Sequence, residues 1–313
     1  MDLELDDDQR ALQEGVAALL AEHVDLARTT ALAQGGGVDE RLRAALSEAG
    51  FLDIALEEGA GWLDAVLLVE ATARRGGLVD IGAAAIVAPA LCGRSIAGPV
   101  ALLQRDHRGA TRFGAQARAV LIERTDEVVL IECSPSGDAV ESNYGYPVGR
   151  LGAAVLEGAS GELAVGPPER LRRFWRLALA AECVGTMRGA FETTVDYVKQ
   201  RRQFGRAIGS FQAIQHRLAE LSVAIEGARW LVYEASHYDA EPQRVATAAA
   251  HAMATAERCF AETHQLTGAM GYTREHSLHL WTMRLPLLRL ELGGARAHRI
   301  AAARARWSAT AAV

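Results

Sequence analysis

Apolar residues recur at helical spacing at both ends of this chain and at shorter, alternating spacing in its middle. Leu12, Val16, Leu19 and Leu20 form a stripe that predicts a helix from about residue 8 to residue 23. A glycine-rich break at 35–37 separates it from a second helix over 41–49 that stops at Gly50. A helix over 61–75, ending at Gly76-Gly77, and an apolar segment over 81–92 follow. Between 98 and 166 the pattern turns to period two, with short apolar runs at 119–123, 127–132 and 153–156 that predict strands. The segment has room for about five or six short strands. Pro167 and Pro168 then open a long helix carrying Leu177, Ala181, Val184 and Met187 towards Phe191. Amphipathic, alanine-rich helices over 211–238, 243–265 and 293–307 complete what reads as a bundle. The expected fold is therefore mostly α with a small β insert. It comprises an N-terminal helical domain over 1–97, a reduced antiparallel β-domain over 98–166 and a C-terminal four-helix bundle over 167–313.

Composition narrows the function classes. Half of the 313 residues are hydrophobic, enough for a sizeable core. A net charge of −6, with 33 basic residues that form no long patch, argues against nucleic acid as a partner. Cys92, Cys133, Cys183 and Cys259 lie far apart, without the paired spacing of a zinc site or a disulfide framework. The start, MDLELDDDQ, is acidic, and no apolar run approaches the ~20 residues of a membrane span. The expectation is a cytoplasmic protein with no membrane partner.

Candidate chemistry concentrates in two stretches. The first is YVKQRRQFGRAIGSFQAIQ, Tyr197 to Gln215. Phe191, Val195 and Val198 end one helical face there, and Ile214, Leu218, Leu221 and Ile225 begin another. Gly205 and Gly209 permit the turn between them, and Ser210 stands at the expected N-cap. Such a corner gathers Arg201, Arg202, Gln203 and Arg206, donors suited to phosphate oxygens. Composition alone favours a solvated basic helix end. The second stretch, Gln265 to Tyr272, ends a helix with glycines three apart, where Gln265 and the Thr267 hydroxyl offer donors. A plain glycine-stopped helix is the ordinary alternative.

Taken whole, the first string resembles the acyl-CoA dehydrogenase signature Y-x-x-x-R-x-x-F-G-x-x-[IL]-x-x-x-Q-x-[IV]-x-x-x-[LI]-A-[ED]. Tyr197, Arg201, Phe204, Gly205, Ile208, Gln212, Ile214, Leu218, Ala219 and Glu220 match it. The second is similar to the family's Q-x-x-G-G-x-G-[FY] motif through Gln265, Gly268, Gly271 and Tyr272, with Ala269 in place of the second glycine. The resemblance implies that Arg201, Gln203, Phe204, Gln212, Gln265 and Gly268 serve the adenine and pyrophosphate half of FAD, held mainly by a neighbouring subunit. The N-terminal region matches loosely, the phrase AGFLDIALEEGAG lacking the usual proline. The middle segment carries neither the T-E-P-x-A-G-S-D phrase nor the W-[IV]-[TS]-[NG] phrase that contact the flavin ring and acyl-CoA, and 98–166 contains no tryptophan.

The family's chemistry, α,β-dehydrogenation of an acyl-CoA thioester, requires a carboxylate to take the α-proton while hydride passes to flavin. Of the two places where the family keeps that glutamate, one falls on Gly293, after Met283-Arg284, and the other on Trp175, before Arg176. Glu291 and Glu182 are the nearest substitutes, each more simply read as a paired or exposed carboxylate. Adenine-side motifs without ring phrases or base imply a small, base-lacking subunit. Its partner would be a larger catalytic acyl-CoA dehydrogenase chain, in an α2β2 assembly of the kind that acts on steroid side-chain CoA esters. A homomeric enzyme with a relocated base and a flavin-free helical scaffold remain the alternatives.

Overall fold

The computed structural model describes residues 4–107, 109–156 and 162–308. The N-terminal part holds α1 (Asp7–His23), α2 (Leu26–Gly35), α3 (Glu40–Glu48), α4 (Trp62–Arg75) and the short α5 (Ala88–Cys92), the last continuing a π-helical turn at Ala83–Val87. Asp6 begins α1 with a capping box, accepting from Gln9 N while the Gln9 side chain accepts from Asp6 N. Helix α2 is absent from the periodicity reading. Asp25 caps it by accepting from Ala27 N, and Gly36 ends it in the left-handed region. The stripe of α1 and the buried face of α4, Ala65 to Val69, close this part of the core.

The middle segment folds into two small sheets. One joins β1 (Val100–Leu103), β3 (Ala119–Glu123), β4 (Val128–Glu132) and β7 (Leu163–Gly166); the other joins β2 (Thr111–Arg112), β6 (Val148–Arg150) and β5 (Asp138–Ala139). The runs expected at 119–123 and 127–132 are β3 and β4, paired antiparallel from Ala119–Glu132 to Glu123–Val128. Two expectations are corrected. Strand β1 pairs parallel with β3, so the insert is not wholly antiparallel. The run at 153–156 is a single helical turn, α6 (Ala153–Leu156). Four apolar residues read equally well as either element, and here Val155 packs as one side of a helical turn against the β1, β3 and β4 side chains Leu103, Ile122 and Val129.

The C-terminal part is built on α7 (Pro168–Gln200), a helix of 33 residues, followed by α8 (Gln212–His237) and α9 (Pro242–Thr267). Two short helices, α10 (His279–Thr282) and α11 (Arg284–Leu290), lead to α12 (Gly294–Ser308), which packs on α9. Alanines make the packing close: Ala248, Ala249, Ala252 and Ala256 of α9 and Ala178, Ala180 and Ala181 of α7 are all buried. At the α4–α7 crossing Gly185 lies so near the Glu70 backbone that any Cβ would collide with its carbonyl oxygen. The molecule is thus mostly helical, with a small β insert between two helical parts. Among the described residues no helix is long and apolar enough to cross a membrane.

Candidate functional site

Helix α7 ends where the basic stretch begins, with Arg201 N donating to Tyr197 O at 2.8 Å. The chain then forms a small hairpin, β8 (Arg202–Gln203) against β9 (Arg206–Ala207). Its two turn residues, Phe204 and Gly205, have φ of 52° and 79°. Two positive φ values match the twist of a two-residue hairpin, and the position usually given to Asn is here given to a phenylalanine. A bulky residue in that region carries about 1–2 kcal/mol of strain. Phe204 is 91% exposed, its ring set edge-on to Phe211 at 6.1 Å, and the Arg206 guanidinium lies 4.0 Å from the Phe211 ring centre. Arg201, Gln203 and Gln212 are exposed, and Gln212 is the first residue of α8. The expected N-cap at Ser210 is corrected: Phe211 holds the cap position, and the Ser210 hydroxyl donates back to Ala207 O at 2.7 Å.

The second stretch closes α9. Gln265 is exposed, while Gly268 takes φ 59° and ψ −142°, a conformation that only glycine adopts readily. The Thr267 hydroxyl, expected to be an outward donor, is buried and donates to Thr263 O at 2.8 Å. It also packs against Gly271, where a Cβ would overlap it. Tyr272 is 73% exposed and lies tilted over the buried His264 ring at 4.6 Å.

The topology brings the two stretches to one end of the bundle. Because α9 runs antiparallel to α8, its C-terminus lies beside the start of α8; Arg217 of α8 reaches Glu262 of α9 at 2.7 Å. Tyr197 of α7 meets His276, beyond the second stretch, edge-on at 5.3 Å. Exposed amides, an exposed guanidinium and a flat aromatic face thus share one surface. Among the described residues Arg201 faces no carboxylate.

The interior tells a different story. Trp175 is buried and its indole N–H donates to Glu291 Oε2 at 2.6 Å. Arg112, at the end of β2, bonds Glu291 through Nε and through a second nitrogen at 3.3 Å. The same guanidinium donates to Glu182 Oε2 at 2.6 Å and Oε1 at 3.4 Å. Glu182 is 1% exposed and also accepts from the Tyr146 hydroxyl at 3.1 Å. Burial opposes the charge on Arg112, but the two carboxylates outweigh it and hold the guanidinium well above its ordinary pKa. Tyr146 is pushed up, first by burial and then by Glu182. Gly82 is required here, because a Cβ would overlap Glu182 Oε1.

Arg284, of the matched Met283-Arg284 pair, is fully buried. It donates to the carbonyls of Gly77, Gly76 and Gly145 at 3.0, 3.1 and 3.2 Å, tying the N-terminal helices to the β insert. Gly293 takes φ 86°, and a Cβ there would lie 2.9 Å from Ala297 Cβ. The cavity among Asp80, Arg112, Trp175, Glu182 and Glu291 amounts to ≈ 10 Å³, room for about one water and far below the ~300 Å³ of a small-molecule pocket.

The geometry therefore separates the candidates. Glu291 and Glu182 are both clamped by one arginine, and neither faces a space that an acyl chain could enter. Sequence reading missed Arg112, an isolated cation in a short strand, 70 and 179 residues from its partners. No group of His, Cys, Asp and Glu among the described residues could hold a metal.

Comparison with known proteins agrees with this architecture. The acyl-CoA dehydrogenase C-terminal domain profile matches residues 173–306. Acyl-CoA dehydrogenase IpdE2 of Mycobacterium tuberculosis is 31% identical over 306 residues, covering 89% of this chain and 91% of that protein. Among solved structures, the ChsE4-ChsE5 complex from Mycobacterium tuberculosis superposes with a TM-score of 0.79 at 21% identity, over 97% of this chain and 98% of the other. A variant of the steroid ACAD Tcur3481-Tcur3483 superposes with a TM-score of 0.81 at 23% identity, over 98% and 99%. With the ordered motifs at one end of the bundle and a relative matched along nearly its whole length, the chain belongs to the acyl-CoA dehydrogenase family.

Proposed function

We propose that this chain is the non-catalytic subunit of a heteromeric, FAD-dependent acyl-CoA dehydrogenase. It supplies the adenine and pyrophosphate half of an interfacial FAD site. A larger partner chain supplies the base, the acyl-CoA pocket and the flavin-ring contacts. The observation that carries the reading is the Arg112 clamp: both family base positions lack a carboxylate, and both nearby glutamates are tied to one guanidinium in a space of ≈ 10 Å³.

The exposed corner fits the proposed half of the cofactor. Arg201 would hold a pyrophosphate oxygen, and the amides of Gln203, Gln212 and Gln265 would supply neutral donors. Gly268 lets backbone approach closely, and Phe204 offers an aromatic face. Bound FAD would supply the electron acceptor for α,β-dehydrogenation. This chain's residues orient the cofactor and take no proton from substrate. Heteromeric relatives in the fold, one of them described as a steroid ACAD, support an α2β2 assembly acting on a steroid side-chain CoA ester.

Flavin counting on the purified complex tests the proposal. About one flavin per pair of unlike chains is expected, with Glu291→Gln in this chain leaving turnover intact. One flavin per chain, or acyl-CoA oxidation by this chain expressed alone, would overturn it.

A further inference from the structure

Helix α12 has two unlike faces. On a helical projection His298, Ala301 and Ala305 fall together, and the two alanines border Val245 and Ala246 of α9. The opposite side carries Ile300, Ala303 and Trp307 in one strip, with Ile300 40% and Trp307 66% exposed. Arg296 stands at the head of the strip, Arg299 and Arg306 on one flank and Arg304 on the other. All four arginines are exposed, and α12 contains no acid.

Cations in the last turn of a helix meet the negative end of its dipole, which accounts for Arg304 and Arg306. It does not account for Arg296, the third residue of α12, or for an exposed tryptophan. Among the described residues Arg296, Arg299 and Arg304 face no carboxylate. Past Arg306 the face continues into a groove of ≈ 410 Å³ lined by Leu231, Arg244 and Thr247. The acids of that groove are engaged: Glu234 pairs with Arg244, and Glu241 caps α9 by accepting from Gln243 N and Arg244 N at 3.0 Å each.

An apolar strip ending in tryptophan and bordered by arginine has the composition of an interface centre, since these two residue types most often anchor one. Charge decides what covers it. A second copy of this chain, set face to face across a two-fold axis, would bring arginine against arginine in any register. The surface that fits is an unlike one, apolar at its centre and rimmed by carboxylates.

We propose that the outer face of α12 docks on such an acidic-rimmed surface of the larger chain, an inference that rests on the heteromeric reading above. Trp307 and Ile300 are its anchors, and Arg296, Arg299 and Arg304 steer the approach. This face lies apart from the flavin corner. Arg306 borders Thr247 near the start of α9, and the corner begins beyond Thr267, about 30 Å along the helix axis. Docking here holds the chains together without adding a group to the cofactor.

Binding kinetics of this chain on the immobilised larger chain, measured across a salt series, test the docking face. Association should slow steeply as salt rises. Arg296→Glu with Arg299→Glu should weaken the complex at least ~10-fold, mostly through slower association. Trp307→Ala, checked for native circular dichroism, should weaken it by a similar ~10-fold through faster dissociation. The complex that still forms at high protein concentration should keep its flavin content. Wild-type affinity in both variants, with the complex formed, would overturn the docking face and leave the heteromeric reading standing. No complex with the wild-type chain would overturn that reading itself. Self-association of this chain alone that Trp307→Ala abolishes, or binding to phosphatidylglycerol vesicles that the arginine variant abolishes, would overturn the choice of the larger chain as occupant.

Discussion

Replacing Arg112 by methionine removes the one cation shared by Glu182 and Glu291 while keeping most of the side-chain volume. Glu182 would lose bonds at 2.6 and 3.4 Å and Glu291 its bonds to Nε and Nη2, all of them with little access to water. Breaking a buried ion pair by removing one partner costs about 3–5 kcal/mol, because the remaining charge has no compensation. Two neutral donors soften this, Tyr146 for Glu182 and Trp175 for Glu291, and place the expected loss near 4 kcal/mol at pH 7. Urea unfolding measures it. Adding Glu182→Gln to Arg112→Met should recover a large part of the loss, a coupling that a purely steric effect of Met would not show. A single-variant loss below ~1 kcal/mol, or a double variant no more stable than Arg112→Met, would refute the clamp as the element that closes this interior.

Three further outcomes follow from the same geometry. Arg201→Ala should weaken FAD binding by the complex by roughly 1.5–3 kcal/mol, read by fluorescence titration of flavin. Burial first, then Arg176, lowers the pKa of His298 to about 4, so the folded state binds its proton less readily than the unfolded chain does. Stability should therefore hold above the ordinary histidine pKa and fall by about 3 kcal/mol as pH drops from ~6.5 to ~4, and His298→Gln should remove that slope in unfolding curves taken across the range. Gly293→Glu, which restores a carboxylate at a family base position, should cost about 1–2 kcal/mol for the positive φ and should yield no acyl-CoA oxidation by the chain alone.

The long helices were legible because their apolar stripes are long, and the corner at Arg201 because its residues are consecutive. What local pattern could not show is pairing at a distance. Helix α2 has few apolar positions, buries only Thr29 among its own residues, and rests on its Asp25 cap, so periodicity passes over it. The direction of β1 against β3 depends on a connection through β2, on which alternation is silent. Arg112 is the largest omission. Its segment, Thr111-Arg112-Phe113, reads as an ordinary strand end, and only the folded chain brings Glu182 and Glu291 to it. As substitutes for the base the two glutamates stand out in the sequence by their place alone, and in the structure each is paired with Arg112.

Interior and surface differ in what they demand of the fold. Loss of a flavin-ring pocket alone would leave a void, and voids destabilise by about 24 cal/mol per Å³. In this interior Arg112 bonds Glu182 and Glu291 and Trp175 bonds Glu291, leaving a cavity of only ≈ 10 Å³, so these charged groups are paired without any ligand. The corner at the bundle end is the reverse. Phe204 holds a strained backbone conformation and exposes nearly its whole ring, Tyr272 is mostly exposed, and Arg201 faces no carboxylate among the described residues. Beyond single ring contacts of Phe204 with Phe211 and of Tyr272 with His264, these features do little for the isolated chain and gain most when another surface or an anion covers them. A self-sufficient interior beside an unsatisfied surface is what a subunit needs if it contributes to a cofactor site completed elsewhere, and it is opposite to the arrangement required of a chain that must open its own core to a substrate.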